Sequence, residues 1–164
     1  MKILYFGGQK SGKTSLSIKK TLELSKHKKP YYIATYLDNY NDSEMKKRIK
    51  NHQEERREDF LTIEEGYDVY THLEEEETYL MDCVSMWILN NMEKDEEVLI
   101  NEIQKLLHSK NNMVFILNDV SSGIIPLDKV SRRFVDLTGI IGQEITKYCD
   151  EVYQVNYGIQ RRIK

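Results

Sequence analysis

Residues Gly7-Gly8-Gln9-Lys10-Ser11-Gly12-Lys13-Thr14 fit the spacing G-x-x-x-x-G-K-[ST], and three of the chain's eight glycines lie between Gly7 and Gly12. Each position has a chemical reason. Gly7 and Gly12 permit backbone conformations that side chains resist. The N–H groups of Gly8, Gln9, Lys10 and Ser11 can then turn inward on phosphate oxygens, aided by the positive end of a following helix. Lys13 can reach β- and γ-phosphates, and Thr14 offers a hydroxyl to magnesium. A chance match to this spacing arises in roughly one chain of this size in a few hundred. The cradle points to a nucleotide but names no reaction, because unrelated proteins share it.

A second group of residues can also do chemistry. In the run from Asp42 to Arg56, the residues Met45, Arg48, Ile49, His52 and Arg56 recur at helical spacing and share one face. Met45 and Ile49 would turn that face inward. His52 would then stand one helical turn from a guanidinium on either side. Two positive neighbours disfavour imidazolium, so His52 keeps a free lone pair. The same arginines can grip phosphate oxygens. A neutral imidazole beside a held phosphate can attack phosphorus. A solvated histidine on a highly charged helix fits the same pattern, and the residues alone leave both readings open.

Elements must hold these residues in place. Lys2 to Phe6 reads as a buried strand ending at Gly7, and Ser11 to Leu24 as a helix. Lys26 to Pro30 breaks that helix, and Tyr31 to Tyr36 reads as a second strand. Asp42 or Ser43 can cap a long polar helix running to about Asp59. Gly66 to Glu76 reads as a short helix whose glutamates, Glu74 to Glu77, form a solvated end. Thr78 to Cys83 is expected as a third strand and Val84 to Met92 as a helix. Glu96 to Ser109 is amphipathic, and Met113 to Leu117 is expected as a fourth strand. Leu127 to Tyr148 reads as helix interrupted near Gly139 and Gly142. Glu151 to Lys164 reads as a terminal hairpin turning at Tyr157-Gly158. Alternating strands and helices imply an α/β fold: a mostly parallel sheet with helices on both faces.

Composition narrows the function classes. The 164 residues suit one domain, residues 1–164, with its own core. A net charge of −3 argues against general nucleic-acid binding. The two cysteines, Cys83 and Cys149, stand in unrelated contexts, as in a reduced cytoplasmic protein. No apolar run is long enough for a membrane span.

Taken together, these segments resemble one family: the bifunctional adenosylcobinamide kinase/adenosylcobinamide-phosphate guanylyltransferases of cobalamin biosynthesis. GGQKSGKT looks like its nucleotide loop and YYIATY like its second strand. DSEMKKRIKNHQEER matches its Asp-x-Glu-Met-x-x-Arg-Ile-x-x-His-x-x-x-Arg signature, and TIEE its Thr-x-Glu segment. LMDCVSMWILNNM resembles an acidic strand end followed by a helix closing on asparagine. NDVSSGIIP, SRRFVDLTGIIGQ and the ending CDEVYQVNYGIQRRIK follow in the family's order. The departures are Asp119 for glutamate, Ser121 for glycine, Gly142 for asparagine and Glu144 for a basic residue.

The resemblance implies a P-loop NTPase-like fold and two reactions. In one, the γ-phosphoryl of ATP or GTP passes to the hydroxyl of the aminopropanol arm of adenosylcobinamide. In the other, His52 takes GMP from GTP and passes it to adenosylcobinamide phosphate. It implies His52 and Lys13 as catalytic residues. Nucleotide contacts fall on Gly7 to Thr14, Arg48, Arg56 and Glu64, and Mg2+ on Thr14 and Asp82. A purely structural Asp82 remains an alternative. A homotrimer is implied as well. Two rivals stay open: a different P-loop kinase of a small metabolite, and a nucleotide-binding homologue without catalysis.

Overall fold

The computed structural model describes residues 1–26, 28–37, 58–120 and 122–164. Among these residues seven strands form one sheet: β1 (Lys2–Gly7), β2 (Tyr31–Ala34), β3 (Leu61–Glu64), β4 (Thr78–Asp82), β5 (Asn112–Asn118), β6 (Glu151–Asn156) and β7 (Ile159–Arg162). Their order is β3-β2-β4-β5-β1-β6-β7. Every neighbouring pair is parallel except β6 and β7, which form the expected antiparallel hairpin. Tyr157 and Gly158 make its two-residue turn with φ of 51° and 79°. Positive φ at both positions matches the right-handed twist of the flanking strands.

The strands read as unbroken apolar runs because both faces are covered. Alternation still divides them. Leu4, Met113, Phe115 and Leu117 face one core; Ile3, Tyr5, Val114 and Ile116 face the other. The first core is closed by α2 (Val84–Asn90), α3 (Glu96–His108) and α4 (Lys129–Tyr148). In α3, Leu99, Ile103, Leu106 and Leu107 recur on the buried side, with Glu96 and Glu97 in the first turn and Lys105 and His108 in the last. Those charges oppose the helix dipole at both ends. The second core lies under α1 (Lys13–Ser25), whose Leu16 and Leu22 pack on it. The innermost positions of α1 are small: Ser17 Oγ donates to Lys13 O and Thr21 Oγ1 to Ser17 O, both at 2.7 Å.

Several sequence expectations change. The helix expected across Leu127–Tyr148 is not interrupted; α4 runs through Gly139 and Gly142 for 20 residues. Asp128 caps it, accepting from Ser131 N at 2.8 Å. At Gly142 a Cβ would stand 3.1 Å from Leu117 Cδ2, so that glycine serves close approach of α4 to β5 and not a break. The helix expected over Gly66–Glu76 shrinks to one 3-10 turn, Val69–His72. Glu65 turns the chain there, accepting from Tyr67 N at 2.6 Å and Asp68 N at 3.1 Å. Glu74 to Glu76 are exposed, as expected of a solvated end. Strand β2 stops at Ala34, two residues short of Tyr36. Strand β3 was not expected: it is an edge strand, with Leu61, Thr62 and Glu64 exposed, and so lacks an apolar signature. The polar helix expected over 42–59 lies outside the described residues, apart from Glu58 and Asp59, which form a turn.

Candidate active site

The carboxyl ends of the parallel strands line one edge of the sheet. Residues paired in register there are Gly7 with Asn118, and Ala34 with both Asp82 and Glu64. In open α/β sheets this edge is where ligands bind. The loop from Gly7 to Thr14 leaves it between β5 on one side and β6 on the other.

That loop is built by backbone approach. Asp119 N donates to Gly7 O at 2.9 Å, fixing the loop to β5. On the other side, a Cβ on Gly7 would lie 2.2 Å from Val155 O, so no other residue fits without moving β6. Gly158 N donates to Ser11 O at 2.7 Å, and a Cβ on Gly12 would lie 3.1 Å from Gly158 Cα. Gly12 has φ 93° and Lys10 φ 55°. Left-handed residues inside a turn direct successive N–H groups to one side, the geometry of an anion nest. Ser11 Oγ is buried with no hydrogen-bond partner among the described residues. The loop thus has left-handed backbone at Lys10 and Gly12, and the C-terminal hairpin packs against its outer side.

Lys13 opens α1 and is buried, with Nζ donating to Gly8 O at 2.9 Å across the loop. Burial lowers its pKa, while the nearby Cys83 and Asp82 oppose that shift. Cys83 itself is pushed up to about 12 by burial, so it remains a neutral thiol beneath the lysine. Thr14 is half-buried in the first turn of α1, while Gln9 and Lys10 are exposed on the rim of the loop.

Asp82 ends β4, half-buried, with the Tyr32 hydroxyl donating to its Oδ2. The turn after it is clamped from both sides. Thr35 N donates to Asp82 O at 3.1 Å, Thr35 Oγ1 donates to Cys83 O at 2.8 Å, and Cys83 N donates to Thr35 Oγ1 at 2.8 Å. From β5, Asn118 N donates to Ser85 Oγ at 2.9 Å. The end of α2 adds two amides. Asn90 Nδ2 donates to Thr35 O at 2.8 Å and to Gly66 O at 3.2 Å, and Asn91 Nδ2 to Gly66 O at 3.1 Å. Only the asparagine at the helix end had a signal in the sequence; Thr35 and Gly66 act through contacts far away in the chain.

Of the sequence-predicted residues, Gly7 through Thr14 and Asp82 lie on one part of this edge. Glu64 lies on the same edge but four strands from β1, roughly 19 Å at the usual strand spacing. It is exposed. His52, Arg48 and Arg56 fall outside the described residues, as does Ser121. Among the described residues there is no cluster of three or more metal-ligating side chains. Nor is any helix among them long and apolar enough to cross a membrane.

Comparison with known proteins agrees with this geometry. The chain is 30% identical to the bifunctional adenosylcobalamin biosynthesis protein CobP of Pseudomonas aeruginosa, over all of this chain and 98% of that protein. It is 30% identical to the bifunctional adenosylcobalamin biosynthesis protein CobU of Escherichia coli and 28% identical to that of Salmonella typhimurium, each over the full length of both chains. Residues 3–163 match the family described as cobinamide kinase / cobinamide phosphate guanyltransferase. With a glycine-rich loop of nest geometry at the edge of a mainly parallel sheet and a family match over residues 3–163, this chain belongs to that family of transferases.

Proposed function

We propose that the chain phosphorylates adenosylcobinamide and then transfers GMP to the phosphate it has made, using the Gly7–Thr14 loop and His52. The observation that carries the reading is the loop itself: a nest pinned between β5 and the hairpin, with a buried lysine aimed across it. In the first reaction the loop N–H groups and Lys13 hold the β- and γ-phosphates. The acceptor hydroxyl oxygen bonds to the γ-phosphorus, the bond to the β-phosphate oxygen breaks, and the hydroxyl proton passes to solvent. Lys13 gives up its bond to Gly8 O for a phosphate oxygen, so its charge spreads onto the transferring group without a large rearrangement.

Thr14 in the first turn of α1 and Asp82 at the end of β4 are partly exposed oxygen donors, which fits Mg2+, an ion that keeps several waters and takes few protein ligands. When bound, the ion neutralises charge on the phosphate oxygens. Asp82 keeps its place through Tyr32 and the Thr35 clamp.

In the second reaction, His52 bonds through a ring nitrogen to the α-phosphorus of GTP, and pyrophosphate leaves. A phosphate oxygen of adenosylcobinamide phosphate then bonds to that phosphorus and the P–N bond breaks, returning the imidazole. Arg48 and Arg56 hold the nucleotide phosphates. Glu64 stands where only the far end of a nucleotide, or a second one, reaches it. The family resemblance also supports a cytoplasmic homotrimer.

The test is intact-mass spectrometry after incubation with GTP and Mg2+. The expected result is one GMP adduct, mapped to the peptide holding His52 and lost in His52→Ala, with cobinamide phosphorylation retained. An adduct that persists in His52→Ala removes the nucleophile assignment.

A further inference from the structure

The hairpin turn that walls the cradle carries an aromatic ring with no structural use. Tyr157 is 98% exposed, the most exposed of the large hydrophobic side chains among the described residues. It also sits at φ 51°, a conformation unfavourable for a residue with a Cβ. The next residue, Gly158, is bonded to Ser11 O and packs on Gly12. The ring is thus tethered one residue from the phosphate cradle, on the side facing away from Asp82. Lys13 interacts with Asp82 and Cys83, so the terminal phosphates that Lys13 attends lie toward β4 and β5. The nucleoside end must then leave toward β6 and the hairpin.

We propose that Tyr157 is the stacking platform for the nucleobase of the triphosphate held in the Gly7–Thr14 loop, a subsite that rests on the nucleotide reading above. A fully exposed ring one residue from the loop contact at Gly158 suits a planar base, and stacking is tolerant of which base is offered. The ligand class is accordingly a purine nucleoside triphosphate with little discrimination between adenine and guanine. The fold holds the platform rigidly, because the turn is closed by β6–β7 pairing and pinned to Ser11.

The experiment compares binding of ATP, GTP and inorganic tripolyphosphate by the full chain and three variants. Tyr157→Asn removes the ring while suiting positive φ, Tyr157→Ala removes it without that relief, and Tyr157→Phe keeps it. The expected result is about tenfold weaker ATP and GTP binding in the Asn and Ala variants. Tripolyphosphate affinity should be unchanged in all three, and nucleotide affinity preserved in Phe. Nucleotide affinity unchanged in Tyr157→Asn overturns the proposal. So does an equal loss for tripolyphosphate, which would make the residue a support for the loop, and so does a change in oligomeric state, which would make the ring an interface group. A wild-type chain that binds neither nucleotide nor tripolyphosphate overturns the cradle reading and this inference together; a wild-type chain that binds both leaves a failure in the variants charged to Tyr157 alone.

Discussion

At the residue scale, Lys13 carries the most testable chemistry. It is buried and lies across its own loop; burial lowers its pKa, and Cys83 and Asp82 oppose that shift. Lys13→Ala removes the buried ammonium that bonds across the loop to Gly8 O and leaves the loop backbone intact. Both cobinamide phosphorylation and GMP-adduct formation should fall, the phosphoryl transfer by about a hundredfold, the usual cost of deleting a preorganised donor to developing charge. Steady-state rates and the adduct mass would read this directly. Thermal stability should hold, since the ammonium's burial opposes folding. Kinase turnover left intact would take the loop out of the mechanism. The lysine and its glycines were legible in the sequence because the motif is local. Thr35 and the Gly158 contact with Ser11 were not: their roles are hydrogen bonds to residues far away in the chain.

At the element scale, sequence patterns served where burial was strong and failed at the margins. Strands β1, β4 and β5 are central and apolar, so their runs stood out. Strand β3 is an exposed edge, held by pairing with β2 and by Ile63, which packs partly buried against the core. The glycines of α4 misled for the opposite reason. A glycine in a helix costs about 1 kcal/mol against alanine, yet Leu137, Ile141 and Ile145 bury one stripe and hold the helix through both. The two positions should respond differently. A Cβ at Gly139 meets nothing within 4 Å. Gly139→Ala should therefore stabilise the chain by about 0.5–1 kcal/mol. At Gly142 the same gain is opposed by the 3.1 Å approach to Leu117 Cδ2, so Gly142→Ala should be near neutral. Denaturant midpoints of both variants check the contrast; an equal gain at the two sites would mean that the α4–β5 approach is looser than described.

At the scale of the whole molecule, the two edges of the sheet divide the work. The carboxyl edge carries the cradle, Asp82 and the hairpin turn. The amino edge is bound by polar braces far from the site. Lys2 Nζ donates to Ser109 O at 2.9 Å, Ser109 Oγ at 3.2 Å and Asn111 O at 2.5 Å, and Lys2 N donates to Asp150 Oδ2 at 2.7 Å. Burial lowers the Lys2 pKa to about 8 from 10.5, with Asp150 and Cys149 acting the other way. A folded-state pKa below the unfolded one means that the unfolded chain binds the extra proton between those values. The Lys2 contribution to stability therefore rises with pH from about 8 to 10.5 and is flat on either side. Cys83 and Cys149, both pushed up to about 12, act oppositely above pH 9, so the raw profile mixes signs. The difference between wild type and Lys2→Met isolates the lysine. That difference should grow with pH across the window, by about 3 kcal/mol in total, as unfolding titrations at several pH values would show. Nucleotide affinity at neutral pH should not change, because no step at the opposite edge touches Lys2. A flat difference would mean that its three oxygen acceptors hold the ammonium as well as water does.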